Sequence, residues 1–336
     1  MQKSTWLATP NIAVVKYWGK KDNLLNIPNN GSISVTMDDS LRTITSVEFD
    51  PSLSSDTLAL NGKAAQENEL ARATKVLDSI RTAAKIKTRA RIASNNNFPT
   101  AAGIASSASG FAALALAGAD AAGLKADSRE LSIFARMGSG SACRSVMGGF
   151  VEWKPGSKKD GSDSFAIQIA PASHWSELRN VIAITNPDRK KIGSAEGMEN
   201  TTKTSGLYAE RVRTRPKIIA LMRKAILSRD LPAFLEQTMR ESSDMHAVML
   251  DSFPPIMYLN DISREIIYAV HDFNSAHGKI VAGYTFDAGP NAHVYTDEAH
   301  ASEVEKMLRG IKGVQKTMVC RAGEGPRKLS EKEALF

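Results

Sequence analysis

Cysteine is nearly missing from this chain: Cys143 and Cys320 are two in 336 residues, too few for a disulfide framework. No apolar run approaches the roughly 20 residues that a membrane-spanning helix needs. The opening residues, Met1-Gln-Lys-Ser-Thr-Trp6, lack the apolar core of a signal peptide, and the closing Ala334-Leu335-Phe336 matches no lipidation or peroxisomal address. A cytoplasmic location is therefore expected. The six histidines (His174, His246, His271, His277, His293, His300) show no metal-ligand spacing, which argues against a zinc site. No Gly-x-Ser-x-Gly elbow, no Gly-Lys-Ser/Thr P-loop and no Gly-x-Gly-x-x-Gly after a strand occurs. Repeats and low-complexity segments are absent as well.

What remains is an ordinary globular composition, 42% hydrophobic and 24% charged, with a net charge of +7. A basic protein attracts nucleic acid, anionic membranes or phosphorylated small molecules. Here the cations are spread out, and Lys20-Lys21, Lys158-Lys159 and Arg189-Lys190-Lys191 are short clusters rather than arms. No aromatic-interleaved RNA-binding pattern accompanies them. A polyanionic small substrate accounts for the excess at least as well.

The hydrophobic pattern predicts an α+β architecture of two lobes, residues 1–185 and 186–336, with the boundary near 180–190. Strands are expected over 5–17 (interrupted at Thr9-Pro10-Asn11), 32–37, 42–49, 88–93, 150–153, 165–169, 181–185, 279–287 and 291–295. Asn61-Gly62 fits a two-residue hairpin turn. Helices are expected over 66–86, 106–122, from about Asp127 or Ser128 to Met137, and near 301–310. From Thr201 three amphipathic helical segments run to about His277, broken at Pro254-Pro255, and a short basic tail ends the chain. The charged stretch Asp188–Lys203, poor in apolar anchors, is the expected mobile segment.

Four polar islands interrupt apolar surroundings: Lys16-Tyr17-Trp18-Gly19-Lys20, Asn96 to Ser107, Gly138 to Ser145, and Asp287 to Asn291. Their shared character suggests one cleft. In the second, Phe98-Pro-Thr-Ala-Ala-Gly-Ile-Ala-Ser-Ser107 is small-residue-rich, uncharged and followed by an alanine-rich helix. Its backbone N–H groups and the helix N-terminus suit phosphate, and the hydroxyls of Ser106 and Ser107 can add hydrogen bonds or hold a metal. The same pattern also serves close helix–sheet packing. Asp287, at the end of an apolar strand, is either a general base or a cap of the Gly-Pro turn. Lys16 lies in an apolar strand and needs an anionic partner. Arg144 offers a planar fork to a carboxylate or phosphate, or forms an ordinary ion pair. Cys143 is a reactive thiol or a small packed residue.

Taken together, Asn11-Ile-Ala-Val-Val-Lys-Tyr-Trp-Gly-Lys20, Asn96-Asn-Phe-Pro-Thr-Ala-Ala-Gly-Ile-Ala-Ser-Ser107, Gly138-Ser-Gly-Ser-Ala-Cys-Arg-Ser145, Asp251-Ser-Phe-Pro-Pro255 and Tyr284-Thr-Phe-Asp-Ala-Gly-Pro-Asn291 resemble the mevalonate diphosphate decarboxylase family of the GHMP kinase superfamily. The resemblance runs in order from about Thr5 to Tyr295. It implies a GHMP kinase-like two-lobed fold with a deep cleft, and ATP- and Mg²⁺-dependent conversion of mevalonate 5-diphosphate to isopentenyl diphosphate, CO₂, ADP and phosphate. It implies that Asp287 orients or deprotonates the C3 hydroxyl, that Lys16 holds Asp287 and stabilises the transferred phosphoryl group, and that Arg144 binds the substrate carboxylate. Tyr17, Lys20, Ser139, Ser141 and Ser194 would bind substrate. Ser94, Asn96, Ala101, Ala102, Gly103, Ile104, Ala105, Ser106 and Ser107 would cradle ATP, with Ser106 or Ser107 touching the phosphates or Mg²⁺. A homodimer is implied too.

One stretch departs from the family. Members carry Ser-Ser-Arg-Ser-Gly-Met or Ser-Ser-Thr-Gln-Gly-Met where this chain has Gly193-Ser-Ala-Glu-Gly-Met198. Glu196 facing a diphosphate would be repulsive, so either it points away or the pocket differs. A mevalonate 5-phosphate decarboxylase, a mevalonate 3-kinase of the same fold and a non-catalytic nucleic-acid-binding protein are the alternatives.

Overall fold

The computed structural model describes residues 3–98, 106–185 and 192–336. Alternation of apolar and polar residues produces three main sheets there. The first has six strands, in the order Arg327–Lys328, Lys3–Ala8, Thr43–Phe49, Ala90–Asn96, Thr57–Leu60, Lys63–Ala64. The second has four: Ala166–Ala170, Phe150–Trp153, Ser32–Thr36, Asn11–Val15. The third, also of four, runs Ala282–Phe286, Ala292–Asp297, Leu178–Thr185, Val314–Arg321. Asn61 and Gly62 have φ of 49° and 75°, the two left-handed residues that a type I′ hairpin turn requires.

Helices α1 (Glu67–Ala84), α2 (Ser106–Ala121) and α3 (Ser128–Gly138) pack with the first sheet. Seven of the eleven buried residues of α2 are alanine, so its backbone lies close to its neighbours. Gly138 shows the consequence, since a Cβ there would fall 2.2 Å from Phe111 Cδ1. A capping box starts α3: Asp127 accepts from the Glu130 N–H at 2.9 Å and Glu130 from the Asp127 N–H at 3.0 Å.

Beyond residue 192 come α4 (Ser194–Thr204), α5 (Tyr208–Ser228), α6 (Leu231–Leu250), α7 (Asp261–Ala276) and α8 (Ala301–Arg309). The sequence pattern expects three helical segments from Thr201. Four are present up to Ala276, and the first already begins at Ser194. Asp188–Lys203 therefore needs correction in part: its first residues lie outside the described ones, but Ser194 onward is helix. Met198 anchors that helix among Trp18, Tyr208 and Met245.

The expected basic tail is also different. Val314–Arg321 is an eight-residue strand paired with Leu178–Thr185 along its length. As an edge strand it turns Gln315, Lys316 and Val319 to solvent and buries Thr317 and Cys320, so its apolar pattern is faint. The chain then returns to pair Arg327–Lys328 with Trp6 and Leu7. A division into 1–185 and 186–336 is thus crossed twice, by Leu178–Thr185 in the third sheet and by the C-terminal segment in the first.

One core cluster joins the two halves. Ile12, Val14, Ile33 and Val35 of the second sheet meet Met222 and Ile226 of α5, Phe234 and Leu235 of α6, and Ile182 and Tyr295 of the third sheet. Phe234 is fully buried, edge-on to Trp175 at 5.3 Å and to Tyr295 at 5.4 Å. Truncating it empties the joint on which the cleft is hung. Phe234→Ala should cost about 3–5 kcal/mol, measured by chemical denaturation. A loss under about 1 kcal/mol would mean that the joint repacks freely.

Candidate active site

The second and third sheets bring Lys16 and Asp287 together. Lys16 follows the strand Asn11–Val15, and Asp287 follows Ala282–Phe286. The Lys16 Nζ donates to Asp287 Oδ1 at 2.5 Å, with the lysine side chain 2% exposed and the aspartate 30%. Burial favours the neutral form of both groups, but each charge supports the other. Burial raises the Asp287 carboxyl, yet Lys16, with smaller help from Arg144, outweighs it and leaves the group below the usual aspartate range. Burial pulls the Lys16 ammonium down, and Asp287 offsets part of that. The turn after Asp287 is closed by its backbone carbonyl, which accepts from the Gly289 N–H at 2.8 Å. The carboxylate is thereby free of the turn-capping duty and serves Lys16.

Arg144 ends a short 3₁₀ turn, Gly140–Arg144, and is 2% exposed. Its Nε donates to Asn11 Oδ1 at 3.1 Å and Ser34 Oγ at 2.9 Å, and its Nη1 to Ser32 Oγ at 2.6 Å. All three partners are neutral. Among the described residues, no carboxylate lies within the 4.0 Å of an ion pair. A buried guanidinium in that position can receive an incoming anion. The Tyr17 ring lies 6.0 Å from it and is edge-on to Trp153 at 4.9 Å. Burial pushes the Tyr17 phenol up to about 12, so it stays a neutral donor. Gly140 makes room for it, because a Cβ there would fall 2.8 Å from the Tyr17 hydroxyl.

Three hydroxyls run from the start of α2 to the end of α3: Ser107 Oγ lies 3.4 Å from Ser139 Oγ, which lies 3.3 Å from Ser141 Oγ. Asn11 Nδ2 donates to the Ser141 carbonyl at 3.0 Å and so ties this chain to Arg144. Cys143, next to Arg144, is fully buried, and burial raises its thiol to about 12. It is an inert packed residue.

Beyond Tyr17 lies a basic cluster that the pattern of α1 conceals. Lys20 Nζ donates to Asn26 Oδ1 at 2.7 Å, while Asn26 Nδ2 donates to the Arg136 and Met137 carbonyls. Arg72 bonds the Gly138 carbonyl through Nε and Nη2 at 3.0 and 2.9 Å, and its guanidinium sits 4.5 Å from the Phe111 ring. Lys75 reaches the Leu24 carbonyl. Burial, then Arg72 and Lys75, lower Lys20 to about 8. None of the three cations has an ion-pair partner among the described residues. In the sequence Arg72 and Lys75 look like the solvated face of an amphipathic helix. Their (i, i+3) spacing on one face is the only local signal.

Of the other expected residues, Ser94 pairs its hydroxyl with Thr45 at 2.9 Å, and Asn96 Oδ1 accepts from Thr43 at 2.5 Å, both across the first sheet. Ser106 and Ser107 begin α2, whose first turn has no acidic residue. Ala101, Ala102, Gly103, Ile104 and Ala105 lie outside the described residues. Ser194 opens α4 after Gly193, which offers no side-chain cap. Glu196 is exposed. Its charge falls on Tyr258, whose phenol rises to about 12 through burial and then Glu196.

Two family profiles match the chain: a diphosphomevalonate decarboxylase-like N-terminal domain over residues 8–166, and a mevalonate 5-diphosphate decarboxylase C-terminal domain over residues 180–331. The diphosphomevalonate decarboxylase mvd1 of Aspergillus fumigatus is 46% identical over 326 residues, covering 93% of this chain and 81% of that protein. The mevalonate diphosphate decarboxylase structure from Trypanosoma brucei superposes with a TM-score of 0.93 at 32% identity, covering all of both chains. A structure of MDDEF in complex with MVAPP, AMPPCP and magnesium gives a TM-score of 0.89 at 34% identity, covering 98% of this chain and 99% of that one.

The cluster around Lys20 is directly measurable. Its amine should titrate near pH 8, followed by the pH dependence of acylation at that residue. Arg72→Gln should move the midpoint upward, because removing a neighbouring cation favours the protonated form. A wild-type midpoint near the ordinary lysine value of about 10.4 would contradict the cluster.

Proposed function

The chain belongs to the diphosphomevalonate decarboxylase family, and from that premise we propose how its cleft carries out the reaction. The enzyme decarboxylates mevalonate 5-diphosphate, consuming ATP and releasing isopentenyl diphosphate, CO₂, ADP and phosphate. A β-hydroxy acid loses CO₂ poorly when hydroxide must leave. Phosphorylation of the tertiary C3 hydroxyl supplies a better leaving group. As the C3–O bond breaks, the C1–C2 bonding pair becomes the C2=C3 double bond and C1 departs as CO₂.

The observation that carries the assignment of roles is Arg144, buried with only neutral partners and within electrostatic reach of an ionised Lys16–Asp287 pair. Arg144 takes the substrate carboxylate and keeps it ionised until the bond breaks. Asp287 holds the C3 hydroxyl. Its lowered pKa makes it a weak base, which suits phosphoryl transfer through a loose transition state, where the nucleophile needs aim more than deprotonation. Lys16 keeps Asp287 ionised and meets the charge on the transferred phosphoryl oxygens. Tyr17, Ser139 and Ser141 line the substrate, and Ser194 at the start of α4 faces its phosphates.

Lys20 receives the diphosphate together with Arg72 and Lys75. These three cations supply the charge that Ala195 does not, and they favour the diphosphate over a monophosphate. Ser94, Asn96 and residues 101–107 form the ATP site, at the N-terminus of α2. Mg²⁺ enters with the nucleotide phosphates, as an ion that keeps phosphate and water ligands, and Ser106 or Ser107 is the hydroxyl proposed for it. Among the described residues no cluster of three His, Cys, Asp or Glu could hold a metal. A homodimer, on the strength of the family resemblance, and a cytoplasmic location complete the reading. Among the described residues no helix is long and apolar enough to cross a membrane.

The decisive assay offers mevalonate, its 5-phosphate and its 5-diphosphate with Mg-ATP and follows ADP and CO₂. Equal yields of both from the diphosphate are expected. ADP without CO₂, or preference for the monophosphate, would move the chain to one of the sister activities. Asp287→Asn should lower kcat by about 10²–10⁴-fold while ATP affinity, measured by calorimetry, stays within about twofold. Arg144→Gln removes a charge-assisted contact worth roughly 1.5–3 kcal/mol. It should cut kcat/KM for the diphosphate by at least tenfold. Wild-type kinetics would take Arg144 out of the substrate site.

A further inference from the structure

Behind Lys16 lies a cluster of four charges, three of them buried and the fourth, Asp244, partly exposed. Arg211 and Arg215 stand one turn apart on α5, and Glu241 and Asp244 share a face of α6. Arg211, Arg215 and Glu241 are 2%, 5% and 2% exposed. Glu241 Oε1 pairs with Arg215, and its Oε2 lies 3.5 Å from Arg211 Nη2. Asp244 pairs with Arg211, and with Arg215 at 2.9 Å. Burying such a lattice is costly, and a well-packed apolar replacement is often no less stable. Fold stability alone is therefore a poor reason for it.

The cluster is aimed at one residue. The strand Asn11–Val15 pairs with Ser32–Thr36 through a register irregularity between Ala13 and Val15, and the ladder ends at Val15. Lys16 is the first residue beyond it, with a backbone N–H and C=O that the ladder no longer serves. The Lys16 N–H donates to Glu241 Oε2 at 3.1 Å. Its carbonyl accepts from Arg211 Nη2 at 3.0 Å and from Asn30 Nδ2 at 3.0 Å. The charged lattice thus grips the peptide groups on both sides of the Lys16 Cα. A lysine side chain has four rotatable bonds, so its Nζ is placed reproducibly only if the Cα is fixed. The charges are also balanced: Lys16, Arg211 and Arg215 stand against Asp287, Glu241 and Asp244.

We propose that Glu241 and Arg211 are positioning residues for the reaction, holding the Lys16 backbone so that its ammonium meets Asp287 and the transferred phosphoryl group. This rests on the role given to Lys16 above. Glu241 touches no reacting atom and acts through Lys16. Both partners come from helices more than 190 residues away in sequence, so the device couples the alignment of the catalytic lysine to the packing of α5 and α6 against the second sheet.

The test compares Glu241→Gln, which keeps an acceptor oxygen but no charge, with Glu241→Ala, which keeps neither. From the loss of a charged hydrogen bond, kcat should fall about tenfold for Gln and further for Ala. KM for ATP and for the diphosphate should stay within about threefold. In a Lys16→Met background Glu241→Gln should cost nothing more. A crystal structure of Glu241→Gln should show the Lys16 Nζ displaced from Asp287.

Folded Gln protein with wild-type kcat would overturn the proposal, and so would a full independent loss on top of Lys16→Met. An unmoved Lys16 Nζ in the crystal would overturn it whatever the reaction proves to be. Should Ala fail to fold, Gln decides. If the wild-type enzyme releases no CO₂ from the diphosphate, the functional reading fails by itself, and the crystallographic comparison still judges the clamp.

Discussion

A lysine ammonium 2% exposed is the constraint around which this protein is arranged. Removing such a charge from water is expensive unless an opposite charge and hydrogen bonds receive it. No carboxylate close in sequence to Lys16 does so. Asp287 from the third sheet takes the ammonium, and Glu241 and Arg211 from α6 and α5 take the backbone on either side. The apolar joint built on Ile12, Val35, Phe234 and Tyr295 brings these elements together. Lys16 is thus where the second half of the chain locks onto the first, at the position we propose for the chemistry.

Charge balance divides the cleft into two regions of different purpose. Around Lys16 each cation has a carboxylate, and the neighbouring groups are neutral: burial, followed for His246 by Lys16, lowers His246 and His293 to about 4. Around Arg144 and around Lys20, Arg72 and Lys75 the cations have hydrogen bonds to neutral oxygens and, among the described residues, no ion pair. A balanced set is a fixed piece of machinery. In the proposed reading an unbalanced set waits for anions, and a substrate with a carboxylate at one end and a diphosphate at the other brings two of them. The net charge of +7 is in part this deficit of carboxylates.

Much of this was legible in advance because it is local. The strands 32–37 and 42–49, the Asn61-Gly62 turn, the helix after Ser106 and the start of α3 follow from alternation, turn chemistry and capping, which act over a few residues. The polar islands were legible too, since a lysine in an apolar strand or an arginine in a serine loop is conspicuous. What escaped had no local contrast. Val314–Arg321 is an edge strand whose outer face is polar. Arg72 and Lys75 sit on an amphipathic helix like any solvated cations. Glu241, in the middle of α6, has no sequence neighbour that marks it as buried.

By itself, then, the sequence was enough to read most of the elements, the residue types of the polar islands and the family, because periodicity, turn residues and short motifs are written in consecutive positions. The tertiary structure alone decided which charges would be paired and which left open. It assigned Asp287 to Lys16 rather than to its own turn, gave Glu241 to a backbone 225 positions away, and left Arg144 without a carboxylate among the described residues. Pairing depends on distance and burial in space, and residues far apart in the chain acquire those only when the sheets and helices close around them.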